Sequence, residues 1–305
     1  MAAGVRSRVA VCLLAAVLVS TACRRSDQKR IAVIPKSTSH EFWVAAHEGA
    51  LKAGREFNVE ILWNGPAQET DYSRQIQIVD SMVAQHVDGI ALAAAERKAL
   101  VGPVDRAIAE GIPVTIFDSG LDSTNYTSYV ATDNVEGGRL AAHTLAKLLN
   151  GKGDVALLMH VPGSQSSMDR EQGFREVIGA SYPGIHIVAS QYGMSDRARA
   201  RSAAENMLAA HPGLAGMFAS AEPSSLGAAL ALKGRSLVGR VKLVTFDSSD
   251  QLRQDLQEGV IDAMVVQDPQ RIGYEAVRTL VERLKGNQPP KRIDLNATVV
   301  RKSGA

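Results

Sequence analysis

Residues 31–43 read Ile-Ala-Val-Ile-Pro-Lys-Ser-Thr-Ser-His-Glu-Phe-Trp. The first four are apolar and rich in β-branched side chains, the pattern of a strand buried on both faces. Pro35 has no N–H for a sheet ladder, so the strand is expected to stop there. Thr38 and Glu41 have the Thr-x-x-Glu spacing of a capping box and predict a helix start. Beyond them Phe42, Ala45, Ala46, Gly49, Ala50 and Ala53 recur at helical spacing. A strand whose C-terminal end meets a helix N-terminus is the usual ligand-facing corner of an α/β sheet. Lys36, Ser37, His40, Phe42 and Trp43 stand at this corner, offering donors and aromatic faces but no evident nucleophile.

The same alternation continues down the chain. Strands are predicted at 59–63, 89–92, 113–117 and 129–132, with helices at 72–85 and 101–110 between them. A second series follows: helices at 136–149, 169–178, 197–210, 226–232, 250–257 and 272–284, and strands at 155–159, 185–189, 216–219, 241–246, 263–266 and 293–300. Repeated strand–helix–strand units predict an α/β fold with two similar Rossmann-like lobes and parallel sheets. Polar breaks at 132–134, 267–269 and 294–296 suit crossings between the lobes. The N-terminal lobe is expected to hold 31–132 plus 268–293, and the C-terminal lobe 133–267 plus 294–305.

The first 22 residues read as a signal peptide: Arg6 and Arg8, an apolar run from Val9 to Val19, then Ser20-Thr21-Ala22 before Cys23. Small residues ahead of a cysteine resemble a lipobox, so Cys23 is the expected lipidation site and 23–30 the lipidated tether. Ser20 departs from that motif, and an ordinary cleaved signal is the competing reading. Cys12 and Cys23 are the only two cysteines, so cleavage leaves one, and acylation explains a lone exported cysteine. The whole chain has 34 Lys and Arg against 32 Asp and Glu. Both excess cations, Arg6 and Arg8, belong to the signal, and the mature chain has no basic surplus of the kind a nucleic-acid partner needs. His40-Glu41 and His47-Glu48 begin like zinc-protease motifs, but Val44 and Leu51 stand where the second histidine belongs. No P-loop, Gly-x-Gly-x-x-Gly or nucleophile elbow is present. Gly137-Gly138 is better explained by a closely packed helix than by a phosphate site. No catalytic residue, cofactor or metal is expected.

Seven pieces, in order, resemble the ribose-type periplasmic sugar-binding proteins of bacterial ABC importers. They are 31–43, Val-Asp-Gly-Ile-Ala-Leu (87–92), Gly-Ile-Pro-Val-Thr-Ile-Phe-Asp (111–118), Ala-Thr-Asp-Asn…Gly-Gly (131–138), Asp-Arg-Glu-Gln-Gly-Phe (169–174), Val-Thr-Phe-Asp (244–247) and Gln-Asp-Pro…Gly-Tyr (267–274). The resemblance implies the type I periplasmic-binding-protein fold, with three hinge strands closing two lobes on a sugar or similar polyol. It implies ligand contacts from Phe42, Trp43, Asp118, Asp247 and Gln267, with Glu222 beside a family polar position that itself falls on Ala221. Lys36, Ser37 and His40 fall on the cleft loop. The family's arginines fall on Ser119 and on Met168, with Arg170 two residues later; a second-lobe aromatic falls on Ser195 and an asparagine on Ala93. These departures argue against ribose itself. Turn or cap roles compete for Asp118 and Asp247, and a core role for Phe42. The expected partners are a sugar-like ligand, an inner-membrane ABC permease and, through the lipid, a membrane, for a monomer at the periplasmic or cell-surface side. A sensor presenting its closed form to a membrane receptor or kinase is the alternative; a repressor would need a DNA-binding segment ahead of Ile31, where the signal lies.

Overall fold

The computed structural model describes residues 28–302. The signal, Cys23 and most of the tether therefore lie outside the described residues. The first sheet is built from β1 (Arg30–Ile34), β2 (Glu60–Trp63), β3 (Gly89–Leu92), β4 (Val114–Phe117), β5 (Ser128–Thr132) and β11 (Arg292–Leu295), in the order β11-β5-β4-β3-β1-β2. Every pairing in it is parallel. Four helices accompany it: α1 (Glu41–Phe57), α2 (Tyr72–Ala84), α3 (Val101–Ala109) and α9 (Pro269–Leu284). Side chains of β1 alternate as a doubly covered strand requires. Ile31 and Val33 enter the core beneath α1 and α9, and Ala32 and Ile34 the core beneath α2 and α3.

The second sheet repeats this plan. It holds β6 (Lys152–Met159), β7 (Gly184–Tyr192), β8 (Gly216–Ala219), β9 (Lys242–Phe246), β10 (Ala263–Val266) and β12 (Thr298–Val300), in the order β12-β10-β9-β8-β6-β7. Five helices belong to it: α4 (Asn134–Leu148), α5 (Gln165–Ser181), α6 (Arg197–Ala210), α7 (Glu222–Gly234) and α8 (Asp250–Gln257). Position by position, β6 plays the part of β1 and β9 that of β4. Only the edge strand β12 departs, running antiparallel to β10.

Three crossings join the lobes, at Asp133, at Gln267-Asp268 and at Asn296-Ala297. Asp133 and Asp268 accept from the backbone N–H of Glu136 and Arg271, so the crossing residues also cap the helices they enter. The third crossing lies beyond the expected 293/294 boundary. Asp294 and Leu295 still pair with Ala131 and Thr132 of the first sheet, and the predicted strand 293–300 is two strands in two sheets.

Glycines set two close helix crossings, one in each lobe. A Cβ on Gly49 would lie 1.8 Å from the Gln270 carbonyl oxygen, and one on Gly273 would lie 2.0 Å from that of Ala46. These fix α1 against α9. Gly138 and Gly173 do the same for α4 and α5, with 1.9 Å to the Arg170 carbonyl oxygen and 2.0 Å to that of Val135. Close packing thus accounts for Gly138, as expected. The capping box does not form. His40 is the N-cap of α1 without a side-chain cap bond, and the Thr38 N–H is taken by the Pro66 carbonyl.

Candidate functional site

The C-terminal ends of both sheets face each other, and a small cavity lies between them. From the first lobe Lys36, His40, Phe42, Trp43, Glu69 and Asp118 reach it; from the second come His160, Ser166, Arg170, Glu222 and Asp247, with Gln267 at a crossing.

Two aspartates are presented in the same way. Asp118 follows β4 and Asp247 follows β9, with φ of 57° and 73°. This left-handed conformation is tolerated by aspartate better than by most residues. It turns each carboxylate off the end of its strand and into the cleft. Asp118 is ion-paired with Lys36 at 3.0 Å, both being buried. The contact is off hydrogen-bond alignment, so Asp118 Oδ2 is buried without a hydrogen bond. Lys36 Nζ donates instead to Ser164 Oγ and Ser166 Oγ of the opposite lobe, at 3.1 and 3.0 Å. Asp247 Oδ2 accepts from the Glu222 N–H at 3.0 Å and Oδ1 from Gln267 Nε2 at 2.6 Å. Gln267 in turn accepts from Thr132 Oγ1 at 2.6 Å. One glutamine therefore ties two crossings to a cavity carboxylate. The competing cap role of Asp247 is not taken, since Ser249 caps α8, whereas Asp118 does sit in a tight turn, closed by the Ser119 N–H on the Phe117 carbonyl.

Arg170 lies in the cleft and Met168 does not line it. Two residues apart on a helix are about 200° apart around its axis, so only one can face the cavity. The Arg170 guanidinium stacks 3.9 Å from the Phe246 ring centroid and donates to Asn134 Oδ1 and the Ser220 carbonyl. Its Nη1 stands 3.9 Å from Asp247 Oδ2.

Glu69 and His160 are contributors that motif reasoning passed over. Trp43 Nε1 donates to Glu69 Oε1 at 2.8 Å, and His160 Nε2 faces Glu69 Oε2 at 2.8 Å across the lobes. Opposite an acceptor-only carboxylate, Nε2 carries the proton. His160 Nδ1 is buried without a partner and belongs to a residue of the cavity wall. Burial works to raise the Glu69 carboxyl, but the His160 charge and hydrogen bond, with Lys36 and His40 beyond, hold it well below the usual carboxylate range. The internal repeat carried a signal for His160: it ends β6 much as Pro35-Lys36 ends β1.

Phe42 and Trp43 are both core and cavity residues. They pack edge to face with centroids 4.9 Å apart, and Trp43 is only 2% exposed. His40 Nε2 meets Ser195 Oγ at 3.2 Å across the cleft, and burial lowers its pKa despite the nearby acids. Ser195 itself stands outside the lining, as do Ser37 and Ser119. Ser119 Oγ accepts weakly from the Ser166 N–H, at 3.4 Å, and Ser37 Oγ meets only Ser39 Oγ. Among the described residues no cluster of ligands suits a metal ion, and no helix is long and apolar enough to cross a membrane.

Residues 31–288 match the periplasmic binding protein domain family. The D-ribose/D-allose-binding protein of Pseudomonas aeruginosa is 30% identical over 94% of this chain and 95% of its own length. The D-allose-binding periplasmic protein of Escherichia coli is 28% identical, covering 84% and 85%. Among solved structures, a carbohydrate transporter solute-binding protein from Agrobacterium radiobacter, in complex with D-arabinose, superposes with a TM-score of 0.89 at 33% identity, over 92% of this chain and 96% of the other. An ABC transporter solute-binding protein from Agrobacterium vitis, bound to α-D-tagatopyranose, does so at 0.87 and 32%, over 90% and 95%.

Proposed function

The chain belongs to the periplasmic binding protein domain family, and from that premise we propose that it captures a sugar or sugar-like polyol in the interlobe cleft by hinge closure and delivers it to the permease of an ABC import system. The observation that carries this reading is the cavity itself, walled by carboxylates, a guanidinium and aromatic rings from both lobes. Carboxylates accept from vicinal hydroxyls, and ring faces suit the apolar C–H patches of a sugar. The relatives described above are named for binding, none for catalysis. A ligand held by both lobes favours the closed form through contacts the open form lacks.

Cys23 is the proposed acyl anchor, tethering the domain at the periplasmic or cell-surface side of a membrane beside the permease. A Cys23→Ser variant is then recovered in the soluble fraction, whereas the unaltered chain stays with membranes. Capture is tested by thermal unfolding against pentoses, hexoses, polyols, sugar acids and amino sugars. A compound that binds only the folded form raises the transition temperature. A clear rise with one sugar class supports the reading; a well-folded sample indifferent to the whole panel contradicts it.

A further inference from the structure

Four carboxylates line the cavity: Glu69, Asp118, Glu222 and Asp247. Three of them face a cationic or protonatable side chain. Asp118 has Lys36 at 3.0 Å, Asp247 has Arg170 at 3.9 Å, and Glu69 has His160 at 2.8 Å. The two permanent cations of the wall are therefore already matched. Glu222 is only 5% exposed, and among the described residues no lysine, arginine or histidine forms an ion pair with it. What holds its carboxylate is backbone: the Phe42 N–H donates to Oε2 at 3.2 Å, and the Glu41 N–H also donates to the carboxylate. The charges that act on it most are those of two acids, Asp247 and Glu41.

A buried carboxylate is costly unless it is paired. The wall thus holds one carboxyl with no cationic protein partner, at a surface shared by both lobes, and when ionised its charge is matched only by a cation from the ligand. A neutral sugar would leave that charge unmatched, and a sugar acid would add another. His160 Nδ1, without a hydrogen-bond partner on the same wall, remains to meet a ligand hydroxyl.

We infer that the ligand bears a primary amine beside its hydroxyls, an amino sugar, and that Glu222 is the counter-ion for its ammonium group. This rests on the sugar-capture reading and narrows its substrate class.

Calorimetric titration of the protein with matched pairs tests it: D-glucosamine against D-glucose, D-galactosamine against D-galactose, and D-mannosamine against D-mannose. The N-acetylated forms control for bulk at the same carbon. At least one free amine is expected to bind tenfold or more tightly than both its neutral parent and its N-acetyl form. Glu222→Gln, nearly the same shape, is expected to bring that ratio to within about threefold, its fold checked by its melting temperature. Neutral parents that bind as tightly as their amines in every pair overturn the inference and leave sugar capture standing. An amine preference that survives Glu222→Gln overturns the role of Glu222. No binding by any member of any pair overturns the inference alone, while sugar capture is decided by the wider thermal panel.

Discussion

Oε2 of Glu69 lies 2.8 Å from Nε2 of His160, and the two residues belong to different lobes. Both are buried, so the pair exists in this form only while the lobes are closed. Removing one partner of a buried pair typically costs about 3–5 kcal/mol, because the other charge is left stranded. His160→Ala is therefore expected to lower ligand affinity by a hundredfold or more. It should also enlarge the unliganded protein in small-angle scattering. Unchanged affinity would show that the pair does not hold the closed form.

The same pair sets a pH dependence. The Glu69 carboxyl is held well below its ordinary value of 4.5. A carboxyl depressed in the closed form contributes fully above its ordinary pKa and loses that contribution as pH falls through the lower range. Affinity is expected to fall as pH drops below 4.5, and to fall less in Glu69→Gln. Parallel profiles for the two proteins would contradict this.

Glu222 acts in the opposite sense. Burial, then the charge of Asp247, push its carboxyl up to about 7. For an acid raised on folding, stability is full below the ordinary pKa and is lost as pH rises through the folded one. Between pH 4.5 and about 7 the unliganded protein should lose stability from this group, and Glu222→Gln should flatten the loss. Denaturant unfolding across that range measures it, provided Asp247 and Glu41, which also face Glu222, are kept unaltered.

Asp118→Ala leaves the Lys36 ammonium buried without a counter-charge, and a loss of about 3–5 kcal/mol is expected. The double variant Lys36→Met with Asp118→Ala should recover most of it, since an apolar replacement of both partners removes the stranded charge. A double variant less stable than Asp118→Ala alone would contradict the pairing.

Gly138→Ala puts a methyl 1.9 Å from the Arg170 carbonyl oxygen, so α5 must move. Overpacking of this kind costs about 1–3 kcal/mol. Because Arg170 moves with α5, affinity should fall along with the melting temperature. Gly179→Ala, with nothing within 4 Å of its added methyl, is the control and should leave affinity unchanged without lowering the melting temperature.

The repeated α/β plan was legible because strands buried on both faces are continuous apolar runs, and α6, α8, β3, β8 and β10 have the expected bounds. What escaped were helix beginnings. α5 starts at Gln165 and α7 at Glu222, each four residues before its apolar periodicity becomes visible. Those first turns are polar because they face the cleft, and a polar turn carries no helical period. The same reason concealed Ser166, on the first turn of α5. Asp118 and Asp247 were legible because each ends an apolar strand at a fixed offset. Glu69 lies in a loop between β2 and α2 with no motif around it, and only the approach of the other lobe gives it a role. The lost capping box has a similar cause: Glu41 accepts from the Asp250 N–H of the opposite lobe instead of turning back on its own helix.

The central claim is that one ligand is held by both lobes at once. Calorimetric titration of Asp118→Asn and of Asp247→Asn, each beside the unaltered protein, tests it most directly with the sugar that gives the largest thermal shift. Each variant keeps its shape and changes a single carboxylate, one in each lobe. Both are predicted to lose tenfold or more in affinity while still unfolding cooperatively. Affinity unchanged in either one would place the ligand on a single lobe or elsewhere, and would contradict capture in the cleft.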